Sequence, residues 1–323
     1  MTLQSRGILF IVILIMAVGC SNQPESQVPN DIKIPEHLKK LENLTVYEED
    51  SKPVHDIQLE RTASYGSSEE EYVLVGGPEG TLARVDHRGR VFIPDRRQQV
   101  IHVLGPQGDY ITHIGRKGRG PGEFEIISDI GIGSTYFYAY DSDRLRINVF
   151  SLDSLAFSHT INLDRTDWEG NARRLGDTGG FFVLDEQTLL KELAFSLPDN
   201  FKMWDNTAVL DSNSYRYYTM NHEGELTSGE IFRQKRRQWT LYTFRGGTHA
   251  THLPIHGKPL MTVSQDGRIF SARSGEFLIK VHDPDGQYLR AFYHPYKGPV
   301  FHRSNRKSEP WICLTGGPPC IPC

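Results

Sequence analysis

The sequence predicts an all-β fold, a β-propeller of about six four-stranded blades with the last blade incomplete. Three observations carry this. A unit of about 44 residues recurs along the chain. Each unit reads as short strands separated by turn residues at short intervals, with abundant Tyr and Phe. No long amphipathic helical pattern appears after residue 45.

The repeat is plainest between "GRVFIPDRRQQVIHVLGPQGDYI" (89–111) and "GRIFSARSGEFLIKVHDPDGQYL" (267–289), which align without a gap. Gly89-Arg90 falls on Gly267-Arg268, Phe92 on Phe270, Ile101 on Ile279 and Val103 on Val281. Pro106, Gly108 and Tyr110 fall on Pro284, Gly286 and Tyr288. A third copy, "TYFYAYDSDRLRINVFSLDSLAF" (135–157), places Asp141 on Asp95, and "GGFFVLDEQTLL" (179–190) places Asp185 at 44 residues beyond Asp141. From Asp185 to Arg273 is 88 residues, twice the period, so a blurred fourth unit is expected between them, near 227–247. Units of this length with several hairpin-linked strands are the signature of propeller blades. The recurrence of Asp95 and Asp141 at equivalent places suggests a structural turn bond.

The chain ends are read separately. Arg6 precedes the uncharged run "GILFIVILIMAVGC", a secretory signal too short and wrongly flanked for a good spanning helix. Its end, Met16-Ala17-Val18-Gly19-Cys20, resembles a bacterial lipobox, in which Cys20 takes a diacylglycerol. The polar stretch after Cys20 suits a flexible tether. The expected organisation is a signal peptide at 1–19, a lipidated tether at 20–42, a propeller at 43–296 and an irregular tail at 297–323. Ser21, with no Asp after the Cys, favours the outer membrane in a Gram-negative cell, facing the periplasm or the surface. "PEHLKKLENL" (35–44) is the best helix candidate, with Pro35 suited to its first turn.

Five units are counted, and 43–66 reads as the outer half of a sixth, whose inner half the C-terminus should supply. After Tyr296 the expected strand pattern is missing, and Cys313, Cys320 and Cys323 appear in a body otherwise free of cysteine after Cys20. That compositional break reads as truncation or a reading-frame shift, leaving an open edge on the fifth blade, with marginal stability or pairing with another chain. The alternative is a five-bladed ring with 43–66 capping the outside. Cys320-x-x-Cys323 has metal-like spacing but sits in the tail with no fold around it.

The 36 basic and 40 acidic side chains are nearly balanced, which argues against a dedicated nucleic-acid binder. "GRKGRGPGEF" (115–124) has the glycines of a phosphate loop, but Gly118 follows Lys117 where such a loop needs Ser or Thr opening a helix. Its place after the third strand of one unit makes it an inter-blade connection, with Phe124 packing beneath it. Other candidates stand on local composition. His249, His252 and His256 in "THATHLPIH" could ligate a metal. Arg233, Lys235, Arg236 and Arg237 form the densest basic stretch and could meet an anionic ligand. Trp168, in "DWE", could stand on a recognition loop at the rim. No Ser-His-Asp arrangement or paired-acid motif stands out, and no cofactor is expected.

"IHVLGPQGDYITHIGRKGRGPGEFEIISDIGI" resembles the NHL-repeat family, whose units carry a G-x-G-x-G-E-F turn and a D-x-x-N-x-R-I-x-V-F strand. Asp141, Arg146, Ile147, Val149 and Phe150 match that strand; Asp95, Ile101 and Val103 match it in part, with Gln98 in place of the Asn. With the lipobox and "NLTVY" (43–47), the chain is similar over about 43–296 to six-bladed β-propeller lipoproteins of bacteria. The resemblance implies a fold more than an activity. The expected function is a lipid-anchored binding or scaffold module for a protein, peptide or glycan. The alternative is a propeller lyase or hydrolase, for which the resemblance offers a metal or catalytic His in the central channel.

Overall fold

A computed structural model describes residues 34–49, 51–52, 57–61, 63, 82–163, 176–194, 214–236, 240–244, 247–251, 257–295, 301–303, 311–314 and 321–322. After a short first strand, β1 (Leu44–Val46), the chain builds successive antiparallel meanders. The first sheet is β2 (Arg84–Val85), β3 (Val91–Asp95), β4 (Val100–Leu104) and β5 (Tyr110–Ile114). The second is β6 (Ile127–Ile132), β7 (Tyr136–Asp141), β8 (Arg146–Ser151) and β9 (Phe157–Asn162). The third is β10 (Gly176–Val183), β11 (Leu189–Ala194), β12 (Ser214–Met220) and β13 (Phe232–Lys235). A two-stranded hairpin follows, β14 (Thr240–Phe244) with β15 (Gly247–Thr251). The fourth sheet is β16 (Pro259–Val263), β17 (Ile269–Arg273), β18 (Glu276–His282) and β19 (Tyr288–Tyr293).

Burial explains why these segments are strands. Every residue of β3 and β4 is buried, as in a sheet covered on both faces, whereas the outermost strand β5 is largely exposed. Alternation along β7 serves two neighbours at once. Phe137 and Ala139 pack towards the first sheet, while Tyr138 and Tyr140 pack towards the third. Phe92 and Phe137 stack across the first junction with ring centres 4.7 Å apart. At the last junction Leu184, Leu190 and Tyr217 of the third sheet and its turns pack on Ile269, Met261 and Val263 of the fourth. Successive sheets also touch through their first strands, β2 with β6, β6 with β10 and β10 with β16. Sheets stacked face to face with converging first strands are the propeller arrangement.

The glycine-rich stretch is the inter-blade connection that its position in the repeat predicts, running from β5 to β6. The second blade grips it. Arg146 donates to the carbonyls of Arg119 (3.0 Å) and Glu123 (2.8 Å), and Asn148 donates to the Glu123 carbonyl at 2.9 Å. The Asp141 carboxylate accepts from the backbone N–H of Glu125 and Ile126, both at 3.1 Å, and pairs with Arg146 at 3.3 Å. Phe124 is fully buried in the first junction. The recurring aspartates are structural. Asp95 and Asp185 each accept backbone N–H bonds within the turn they open, whereas Asp141 reaches out to the incoming loop.

Four expectations change. First, there is no separate blade between Asp185 and Arg273 among the described residues. The expected fourth unit, 227–247, divides between β13, which completes the third sheet, and β14 of the hairpin. Direct packing of the third sheet on the fourth leaves no room for another, and Gln234 bridges them by donating to the carbonyls of Leu260 (3.0 Å) and Ala272 (2.9 Å). The spacing of 88 reflects insertions inside and after the third sheet. Second, 35–44 is no helix. Leu38 donates to the Pro35 carbonyl and Leu41 to the Leu38 carbonyl, giving successive turns that bury Leu38 against the fourth sheet. An isolated helix of this length is marginal, and packing decides its shape instead.

Third, β1 is not part of a sixth blade. It pairs in parallel with β19, Leu44 opposite Ala291 and Val46 opposite Tyr293, and so covers the outer edge of the fourth sheet. Fourth, where an irregular tail was expected, β20 (Phe301–Arg303), β21 (Trp311–Leu314) and β22 (Ile321–Pro322) form a three-stranded antiparallel sheet.

Candidate functional site at the converging first strands

The first strands of the first two blades bring an arginine and a carboxylate together, with a buried ammonium from the third behind them. "IISDIGI" sets one carboxylate inside an apolar strand, and "LLKELA" does the same with an ammonium. Asp129 on β6 faces Arg84 on β2 at 3.7 Å. Its oxygens also accept from the backbone N–H of Ile130 (2.8 Å) and, across the junction, of Phe181 (3.3 Å). Burial pushes the Asp129 carboxyl above its ordinary pKa, against the opposing pull of Arg84, the two N–H groups and Lys191. Lys191, fully buried on β11, donates to the Gly180 carbonyl at 3.1 Å and lies over the Tyr140 ring at 4.4 Å. On the opposite face of the third sheet, towards the fourth, the Tyr217 hydroxyl donates to Glu192 at 2.7 Å. Burial, then Glu192, raises the Tyr217 pKa far above the usual phenol value, so it stays neutral.

Chemically this is a rigid dipolar edge. Arg84 and Asp129 remain partly accessible, while Lys191 is buried behind Asp129. It offers donors and acceptors to a ligand. It shows no nucleophile paired with a base, and the described residues hold no group of three or more His, Cys, Asp or Glu placed for a metal ion.

The sequence candidates lie elsewhere. Arg233 and Lys235 sit on β13, the outermost strand of the third sheet, with Arg236 just after it. Arg233 forks onto Glu230 with bonds of 2.6 and 3.0 Å, and Arg216 meets the same carboxylate at 3.1 Å. The Arg236 guanidinium lies over the Tyr215 ring at 4.9 Å. His249 belongs to β15, opposite Tyr242. Cys20, Trp168, Arg237, His252 and His256 lie outside the described residues. Arg84, Asp129 and Lys191 were missed because search by motif passes over single charges; a charge inside an apolar strand was the available signal.

A protein family described as a 6-bladed beta-propeller (DUF5128) matches residues 80–178, which span the first two sheets and the start of the third. No curated protein matches the sequence. Solved structures match at low identity. One is a candidate exported protein of Bacteroides fragilis NCTC 9343, with 12% identity and a TM-score of 0.44, covering 84% of this chain and 74% of that one. AztD of Citrobacter koseri has 8% identity and a TM-score of 0.35, covering 72% and 66%. A streptogramin B lyase has 13% identity and a TM-score of 0.33, covering 75% and 65%. Likeness at this level assigns no function. The stacked sheets and the family match make the chain an all-β propeller built of four-stranded blades.

Proposed function

We propose that this chain is an extracytoplasmic binding module, anchored by lipid at Cys20 and related to the NHL-repeat propellers, that takes a protein, peptide or glycan ligand at the axial mouth of its blades. The Arg84–Asp129 pair carries this reading. It is a charged, partly accessible pair where first strands from different blades converge, backed by a buried layer that cannot rearrange. Preorganised polar groups bind with little ordering cost. Nearly balanced charge and the lack of a nucleophile–base pair at this site favour recognition over catalysis.

The test is binding of the purified chain to peptide and glycan arrays. Arg84→Gln and Asp129→Asn should each weaken the same interactions while leaving the melting temperature close to that of the unaltered chain. Array binding that ignores both substitutions would move the site away from the axis. Metal analysis separates the competing lyase or hydrolase reading. Stoichiometric zinc or calcium, lost in His249→Ala and His252→Ala, would favour the enzyme.

A further inference from the structure

A second polar group lies away from the axial pair, at the junction of the second and third blades. β9, the outermost strand of the second sheet, carries His159. The tight turn at 221–225, between β12 and β13, carries His222. The two imidazole rings face each other across the junction with centres 5.4 Å apart and planes tilted by 39°. Both are half-buried. Behind them stands an aromatic wall from β7. Tyr138 lies edge-on to His222 with ring centres 5.8 Å apart, and Tyr136 edge-on to His159 at 6.0 Å.

Each imidazole has an oxygen against one ring nitrogen. The Ser158 hydroxyl is 3.1 Å from Nδ1 of His159, and the Tyr138 hydroxyl is 3.4 Å from Nε2 of His222. A neutral imidazole that keeps its proton on the nitrogen facing an oxygen presents a lone pair on the other. Oxygen partners impose this arrangement on metal-ligating histidines. With these oxygens against Nδ1 of His159 and Nε2 of His222, the nitrogens left to meet an ion are Nε2 of His159 and Nδ1 of His222. The ring separation also suits one shared ion. With metal–nitrogen bonds of about 2.0–2.1 Å and tetrahedral angles, two imidazoles on one ion have centres roughly 5 Å apart.

The geometry points to His159 and His222 as a two-imidazole site for a divalent transition-metal ion of the zinc, nickel or copper class, bridging the second and third blades. Imidazole is the ligand type these ions share. Burial raises the pKa of Tyr138, which stays a phenol able to accept from Nε2–H. No third His, Cys, Asp or Glu completes the set among the described residues, so water or an incoming ligand fills the remaining positions. The ion would act as a staple between two blades, stabilising the folded ring by mass action.

Copper(II) is the probe. Titrated into the purified full chain, the first equivalent should give an electron paramagnetic resonance spectrum with coupling to two imidazole nitrogens, and should raise the melting temperature by several degrees. His159→Asn and His222→Asn should each lose both effects while melting without metal as the unaltered chain does. Tyr138→Phe leaves both imidazoles in place and removes the hydroxyl that lies against Nε2 of His222. It should weaken copper binding by about tenfold or more, and it keeps the question answerable if a histidine variant fails to fold. His249→Ala and His252→Ala should leave this first equivalent untouched. A first equivalent that persists with the same spectrum in the double variant His159→Asn/His222→Asn, or affinity unchanged by Tyr138→Phe, would overturn the assignment.

Discussion

Replacing Gly224 with alanine should unseat the third blade from the second. Gly224 lies in the turn between β12 and β13 with φ of 86°, in the left-handed region. A Cβ there would strike the carbonyl oxygen of Asn162 and come within 3.0 Å of its carbonyl carbon. Asn162 cannot step aside, because it ends β9 and is paired with Arg146. Left-handed backbone costs an ordinary residue roughly 1–2 kcal/mol, and overpacking a close contact costs about 1–3 kcal/mol. The sum, about 2–5 kcal/mol, is a large part of the 5–15 kcal/mol or so that holds a typical domain folded.

The melting temperature should therefore fall by about 3–8 °C. Gly286 repeats the design one blade on, with φ of 80° and a Cβ that would strike the Ile231 carbonyl, so its alanine variant should behave alike. Gly229 is the control. Nothing lies within 4 Å of its Cβ position, and alanine there should be neutral or stabilising by about 0.4–1 kcal/mol. The assay is thermal melting of the three variants by circular dichroism. If Gly224→Ala melts within about 1 °C of Gly229→Ala, the close approach of turn to neighbouring blade does not hold the ring together.

Arg146→Ala should cost about 3–5 kcal/mol, because it leaves the buried Asp141 carboxylate without its cation and frees two loop carbonyls; in urea melts, adding Asp141→Asn should recover part of the loss. His282, enclosed by Phe232 and Tyr288, has a pKa lowered by burial, so the unfolded chain takes up a proton that the fold resists. The stability it contributes is complete above about pH 6.5, the unfolded value, and declines as pH falls towards the lower folded value. Melting between pH 7.5 and 5 should show a slope that His282→Asn reduces, and an unchanged slope would remove His282 as its source. Radiolabelled palmitate should enter the unaltered chain in cells and not Cys20→Ala; label that survives the substitution would sink the lipobox reading.

The blade repeat was legible because its parts are local. Gly89 and Gly267, aligned in the repeat, both hold left-handed φ and both approach the aligned prolines Pro106 and Pro284. The glycine-rich loop was legible for the same reason, since turn chemistry, its length and the following strand all agree. The unit count was not. A period assumes equal spacing, and the third blade breaks it with a long connection between β11 and β12 before the extra hairpin. The turn at 35–44 was misread because its leucines have helical spacing, while the surface they cover, at Leu278, Ala291 and Tyr293, belongs to the far end of the chain. The axial pair was hidden for a related reason. Arg84 and Asp129 are ordinary charges in sequence, and only the ring brings β2 and β6 together.

The parallel seam between β1 and β19 sets how the molecule takes mechanical load. A pull on the N-terminal side of the chain first meets the turns that seat Leu38 against the fourth sheet and then passes to β19 through a three-residue strand. The seam is fastened by the Tyr47 N–H on the Tyr293 carbonyl at 2.9 Å, the Asn43 amide on the Leu289 carbonyl at 3.1 Å and the Tyr288 hydroxyl on the Glu42 carbonyl at 2.7 Å. Because the strands run side by side, such a pull loads these bonds together, in shear, instead of opening them one by one. The latch sits on the outer edge of a blade, away from the axis. Force arriving there would be taken up at the rim before it reached Arg84 and Asp129, so the proposed tether would leave the axial pair undistorted.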